Sequence, residues 1–243
     1  MTFIDGVLNI DTQTLNGLAH ARANKIIDSG LVDVFSTSYF LEGMLLFRTN
    51  RRGRAFTILQ HPVLRAESLY HSRHSTLEWL GLPGYLESAH YIDNWVVRSL
   101  TNEKKGTLTE EHLTIAKAII ARKFFIGIAE HLEETIKRLE LYYEWGEVSD
   151  GGECVNKYLK VHLEELESPR AIERGDDYWN LVATKDKYDL MLYYYALELF
   201  VKQGSTMFNR PHVDKDGKPI NFPALRKKRQ EKELLARLGL PPI

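Results

Sequence analysis

Two near-continuous apolar runs, Ala55-Phe56-Thr57-Ile58-Leu59 and Phe124-Phe125-Ile126-Gly127-Ile128, constrain this chain more than any other feature. Neither alternates polar with apolar residues, so each reads as a strand buried on both faces, as a parallel sheet requires. Both lead directly into helix-forming sequence. Strands alternating with helices predict an α/β fold, a parallel sheet flanked by helices, with a helix-rich C-terminal half. Ligands in such folds bind beyond the C-terminal ends of the strands. The residues after Leu59 and after Ile128 are therefore the first places to look for a site.

The rest of the chain supplies the flanking elements. Leu15–Asp28 reads as a helix, Val32–Phe35 as a short strand and Tyr39–Phe47 as a short apolar helix. Pro62 suits a first helical position, where its missing N–H costs nothing. The helix it opens is expected to reach about Leu80 and to stop at Gly81-Leu82-Pro83-Gly84. A second helix is expected around Leu86–Ser99. Thr107-Leu108-Thr109-Glu110 has the form of a capping box opening a helix to about Arg122. Glu130–Tyr143 carries Leu132, Ile136, Leu139 and Tyr143 on one helical stripe. Residues 146–183 read as polar and irregular apart from a short helix at Val155–Glu167. Lys185–Gln203 reads as a helix stopped by Gly204, residues 205–224 as a loop, and Leu225–Leu238 as a terminal helix.

Composition removes several function classes. With 32 Lys+Arg against 33 Asp+Glu the chain has a net charge of −1, which gives no whole-protein basic field for nucleic acid. Its only cysteine, Cys154, excludes a disulfide framework within the chain and any multi-cysteine metal site, and reads as an ordinary small residue. No apolar run approaches the roughly 18 residues of a membrane span. The N-terminus lacks the basic and apolar regions of a signal peptide, so the chain reads as soluble and untargeted.

Chemistry concentrates after the first strand, in Gln60-His61-Pro62-Val63-Leu64-Arg65-Ala66-Glu67-Ser68. It places a polar side chain at the strand tip, an Arg near the start of the helix and a Ser about one turn further on. A helix N-terminus has free N–H groups and a positive dipole end, so the segment reads either as an anion site or as a solvated helix start. On the same helix, Glu67, His71, His74 and Glu78 share a face that fits either a divalent metal or solvent, and no metal is expected. Tyr142-Tyr143 and Tyr193-Tyr194-Tyr195 read as core packing or, alternatively, as aromatic platforms for sugar rings. The helix Arg226–Arg237 carries six basic and two acidic residues and reads as a solvated terminal helix, with a membrane surface, an acidic partner or nuclear import as alternatives.

The strand–Gln60-x-Pro62-x-x-Arg65-x-x-Ser68–helix segment resembles the 3′-phosphate loop of sulfotransferases that use 3′-phosphoadenosine 5′-phosphosulfate (PAPS), particularly the carbohydrate-type enzymes. The resemblance continues in order through Asn94-Trp95-Val96-Val97-Arg98-Ser99-Leu100, Leu108-Thr109-Glu110-Glu111-His112-Leu113 and Phe125-Ile126-Gly127-Ile128-Ala129-Glu130-His131-Leu132-Glu133-Glu134. It ends in Asp189-Leu190-Met191-Leu192-Tyr193 to Phe200, and covers about residues 30–203. The resemblance implies a phosphate-loop nucleotide-hydrolase type of fold, PAPS as co-substrate and no metal. It also implies sulfuryl transfer to a hydroxyl or amine of a carbohydrate or similar small acceptor. By position it assigns Gln60, Arg65 and Ser68 to the cofactor's 3′-phosphate; no residue is assigned as catalytic base.

The chain departs from the family pattern in three places. Gln60 stands where the family has an Arg, a change expected to weaken the cofactor by about 1–2 kcal/mol because a neutral donor replaces a charged one. Ala129 stands where Thr is frequent. No Gly-rich strand–loop–helix for the 5′-phosphosulfate precedes Ala55: Asn16-Gly17 has no neighbouring Lys or Ser, Gly217-Lys218 is followed by Pro219, and Gly204-Ser205-Thr206 follows a helix. Residues 1–204 are thus expected to form a sulfotransferase-like α/β domain with its N-terminal part missing or degenerate, and residues 205–243 a loop and basic helix. The alternative function is a non-catalytic interaction protein that keeps the fold. The Golgi lumen is the compartment the resemblance implies if the chain is part of a longer protein; oligomeric state and acceptor stay open.

Overall fold

The structure, a computed structural model, describes residues 2–4, 7–47, 53–72, 80–143, 145, 157–158, 160 and 176–208. It is mostly helical with a small two-stranded parallel sheet. Strands β1 (Thr2–Ile4) and β2 (Val7–Asn9) form an antiparallel hairpin. Helices α1 (Leu15–Ala23), α2 (Ile26–Ser29) and α3 (Phe40–Met44) follow. Strand β3 (Ala55–Leu59) leads into α4 (Pro62–Ser72), then α5 (Gly81–Glu87), α6 (Trp95–Thr101) and α7 (Glu110–Lys123). Strand β4 (Phe124–Ile128) follows α7 without a break and leads through a 3-10 turn, Ala129–His131, into α8 (Leu132–Tyr143). Helices α9 (Asp177–Lys185) and α10 (Lys187–Phe208) complete the described chain.

The two apolar runs pair with each other in parallel, from Ala55 opposite Phe124 to Leu59 opposite Ile128. The α/β expectation therefore holds in a reduced form, because among the described residues the parallel sheet has two strands. β4 is the central strand of the core and β3 its outer neighbour: Ile126 and Ile128 are fully buried whereas Ile58 is 41% exposed, so β3 is not buried on both faces as its composition suggested. Side chains seal the outer edge of β4. The Gln203 amide donates to the Phe124 carbonyl at 3.0 Å and accepts from the Ile126 N–H at 3.0 Å. It thus imitates the next strand. The Thr135 hydroxyl accepts from the Ile128 N–H and donates to its carbonyl. A buried sheet edge with these groups unpaired would be costly.

The main core joins β4, α6, α7 and α10, with Val97, Ile120, Ile126, Leu192 and Phe200 at its centre. A second core packs α4 and α5 against α9, and a third, around Leu18, Ala21, Ile26 and Leu46, belongs to the N-terminal helices. Arg138 ties α8 to α10: it is buried, stacks over the Phe200 ring at 3.8 Å, and donates to the Phe200 carbonyl and to Glu134.

Several local expectations are corrected. Val32–Phe35 is not a strand; Val34 is half exposed, and among the described residues no partner strand stands beside the segment. Leu15–Asp28 breaks into two helices because Lys25 adopts a left-handed conformation, φ 49°. Gly81, expected to stop a helix, is the first residue of one: its φ of 61° turns the chain, and Pro83 occupies the first turn, where no N–H is needed. The helix expected over Leu86–Ser99 is interrupted through Ser88–Asn94. The cap of α7 is Thr109, not Thr107: the His112 ring accepts the Thr109 N–H at 3.1 Å, a role expected of Glu110. Asp176 caps α9 inside the stretch read as irregular. α10 runs through Gly204, whose buried position gives packing that outweighs a glycine's helix cost of about 1 kcal/mol. Of Val155–Glu167, residues Lys157, Tyr158 and Lys160 are helical. Its remainder, with Cys154, His74, Glu78, Gly217-Lys218 and the helix Leu225–Leu238, lies outside the described residues.

Candidate functional site

The candidate residues lie at the C-terminal ends of β3 and β4. Gln60 follows the last residue of β3 and is half buried; Arg65 lies on the second turn of α4. Together with Val96, Asp189, Leu192 and Tyr193 they line one crevice of about 10 Å³, room for about one water. Ser68 is brought to the same helix one turn beyond Arg65 but is exposed and stays outside the crevice. Ala129 opens the turn after β4.

The N-terminus of α4 is less available than its sequence implied. His61 caps it: its carbonyl accepts the Arg65 N–H at 2.9 Å and its Nδ1 accepts the Val63 N–H at 3.3 Å. Pro62 has no N–H to offer. An anion here must therefore be held by side chains more than by backbone donors. Glu130 links the two strand tips, accepting the His61 N–H at 2.7 Å and the Tyr193 hydroxyl at 2.9 Å. Burial pushes the Tyr193 phenol above its ordinary range, so it remains a donor to Glu130.

Arg65 is the group with unmet demand. Its side chain is only 19% exposed, its Nη2 lies 3.9 Å from Asp186 Oδ2, and its Nε and Nη2 are buried without a hydrogen-bond partner. Buried charged donors left unpaired are expensive, and an anion's oxygens would satisfy them. The crevice is nevertheless not a basic pocket, because Asp186 and Asp189 stand beside this single cation.

Those two carboxylates belong to a buried network that ties α6 to α10. Asp189 accepts the Val96 and Val97 N–H groups at 2.9 and 2.8 Å, capping α6. In return the Asn94 side-chain oxygen accepts the Tyr188 and Asp189 N–H groups at 2.8 and 3.1 Å, capping α10. Asp186 accepts the Asn94 N–H at 2.6 Å and the Tyr91 hydroxyl. Complete burial pushes the Asp189 carboxyl up to about 7, against the two backbone donors, which favour its charged form. Burial raises Asp186 in the same direction.

No protein-family profile, curated protein or solved structure matches this chain. The geometry therefore carries the assignment of the site. Sequence reading found Gln60 and Arg65 but missed Tyr91, Asn94, Asp186 and Asp189 as their surroundings. Asn94 and Asp189 stood inside two of the motif-like segments; the signal was there, and their pairing across the chain was not. On the polar face His71 Nε2 lies 4.0 Å from Glu67 Oε1, and no group of three or more metal-ligating side chains occurs among the described residues. Among them, too, no helix is long and apolar enough to cross a membrane. Tyr193 is buried, while Tyr142 and Tyr143 pack with Phe56, Phe125 and Trp145 around Arg54 at the opposite end of the sheet.

Proposed function

We propose that this chain is a PAPS-dependent sulfotransferase-like protein of the phosphate-loop nucleotide-hydrolase type, acting on a hydroxyl or amine of a carbohydrate or similar small acceptor. The observation that carries the reading is Arg65, a cation with two unpartnered buried donors, set beside Gln60 at the carboxyl end of a parallel strand. Toward a 3′-phosphate Arg65 would supply charge and Gln60 a neutral donor, with Ser68 offering a hydroxyl from outside the crevice. When bound, PAPS supplies the activated sulfuryl group. What this chain's residues do is bind and orient the nucleotide half, a positioning role; no described residue is assigned as the catalytic base.

A second reading, a non-catalytic interaction protein that keeps the fold, is favoured by one observation. Gln60 adds no charge, and two carboxylates face the one cation.

Calorimetric titration of the full chain with 3′-phosphoadenosine 5′-phosphate decides between them. Binding near micromolar, about −8 kcal/mol, is expected under the first reading; no detectable binding leaves the second. Arg65→Ala should weaken that binding by about 1.5–3 kcal/mol, and Gln60→Arg should strengthen it roughly tenfold. Ser68→Ala should weaken binding by about 1–2 kcal/mol and leave thermal unfolding unchanged, because the residue is exposed.

The pH dependence has a definite sign. With Asp189 titrating at about 7, its negative charge beside Arg65 grows as pH rises. Nucleotide affinity is therefore expected to be higher at pH 6.5 than at pH 8, both above the phosphate's own pKa of about 6. Equal affinity at the two values would remove Asp189 from the site's electrostatics.

A further inference from the structure

The N-terminal helices and the residues after α3 line a half-open cavity of about 420 Å³, on elements separate from the Arg65 crevice. Its size falls within the roughly 300–1,000 Å³ of small-molecule sites. Ile26, Met44, Leu46 and Phe47 form an apolar wall, and Arg22 and Lys25 line the same space with exposed side chains. Lys25 is held at φ 49°, a backbone conformation that side chains bearing a Cβ rarely adopt. Arg22, in the last turn of α1, and Lys25, just before α2, line the same space. Neither cation makes an ion pair or a side-chain hydrogen bond among the described residues. Asp28 also lines the cavity, so its described lining residues carry one net positive charge.

We propose that this cavity binds a medium-chain aliphatic carboxylate as a single molecule, its carboxylate held by Arg22 and Lys25 and its tail against the apolar wall. The combination selects the ligand's chemistry. A small hydrophilic anion would leave the apolar wall wet, and a neutral alkyl chain would gain nothing from the two cations. The leucine-bearing segment 226–237 is an unsuitable occupant because its +4 charge is repelled by the same cations. The volume suits a single tail.

The test is calorimetric titration of the full chain with octanoate, decanoate and decanol, each as monomer. Each added methylene should tighten carboxylate binding about fourfold, so decanoate should bind about sixteenfold tighter than octanoate. Decanol should bind at least tenfold more weakly than decanoate. The double variant Arg22→Glu/Lys25→Glu alters two exposed positions; it should lose at least tenfold in decanoate affinity at an unchanged unfolding temperature. The proposal is overturned by absent decanoate binding at millimolar concentration or by affinity independent of chain length. Equal affinity for acid and alcohol overturns it too, as does binding to phosphatidylglycerol vesicles without binding of monomeric decanoate. None of these outcomes depends on nucleotide binding.

Discussion

Asp189→Ala is expected to lower unfolding free energy by about 3 kcal/mol or more, because two buried backbone N–H groups lose their acceptor at about 1–3 kcal/mol each. The donors are those of Val96 and Val97, at the buried start of α6. The loss should spread to α10, since Asn94 and Asp189 cap each other's helices and the cap of α10 rests on the position of Asn94. Denaturant titration reads this as a lower midpoint at unchanged slope. Asp189→Asn keeps one acceptor oxygen and should cost less, and it also removes a pH dependence. The Asp189 carboxyl titrates at about 7 in the folded chain against 3.8 when unfolded, so its contribution is fully present below about 3.8 and is lost as pH rises through 7. Wild-type stability should therefore gain from this group on acidification from pH 8 to pH 5, and Asp189→Asn should flatten that gain. An unchanged slope in the Asn variant would place the titration elsewhere.

Gly127→Ala is the second large effect, expected to destabilise by about 1–3 kcal/mol through overpacking. A Cβ at Gly127 would lie 2.4 Å from Thr135 Cγ2, 3.1 Å from Ile58 Cγ1 and 3.3 Å from the Thr57 carbonyl oxygen. Thr135 is fully buried and cannot swing aside without giving up both hydrogen bonds to Ile128. Thr135→Ser removes the offending methyl and keeps the hydroxyl. It should therefore restore part of the loss, and the double variant should be more stable than the sum of the single changes allows. Strict additivity would mean that Gly127 is needed for another reason.

The parts of this fold that were legible in the sequence are those set by short-range pattern. Ala55–Leu59 and Phe124–Ile128 are strands because their apolar side chains suit a buried sheet, and their pairing in parallel follows from the helices between them. Pro62 starts its helix because proline gives up no hydrogen bond there. Gln60 and Arg65 meet because a strand tip and the second turn of the following helix are neighbours in any such unit. Other elements were misread where packing outweighed local preference. Gly204 lies inside a long helix, Gly81 begins one, and Val32–Phe35 finds no partner strand among the described residues.

By itself, the sequence determined the two strands, their order, the helix that follows each, and the polar residues at the first strand's tip. These depend on residues within a few positions of one another. Tertiary structure alone decided what surrounds Arg65. Asp186 and Asp189 lie far along the chain from it, and they arrive beside it because Asn94 and Asp189 complete each other's helix termini. The same packing put the His61 imidazole on the Val63 N–H and the Gln203 amide on the edge of β4. Each is a long-range or geometric choice made by the need to satisfy buried polar groups, a demand that exists only once the core has closed.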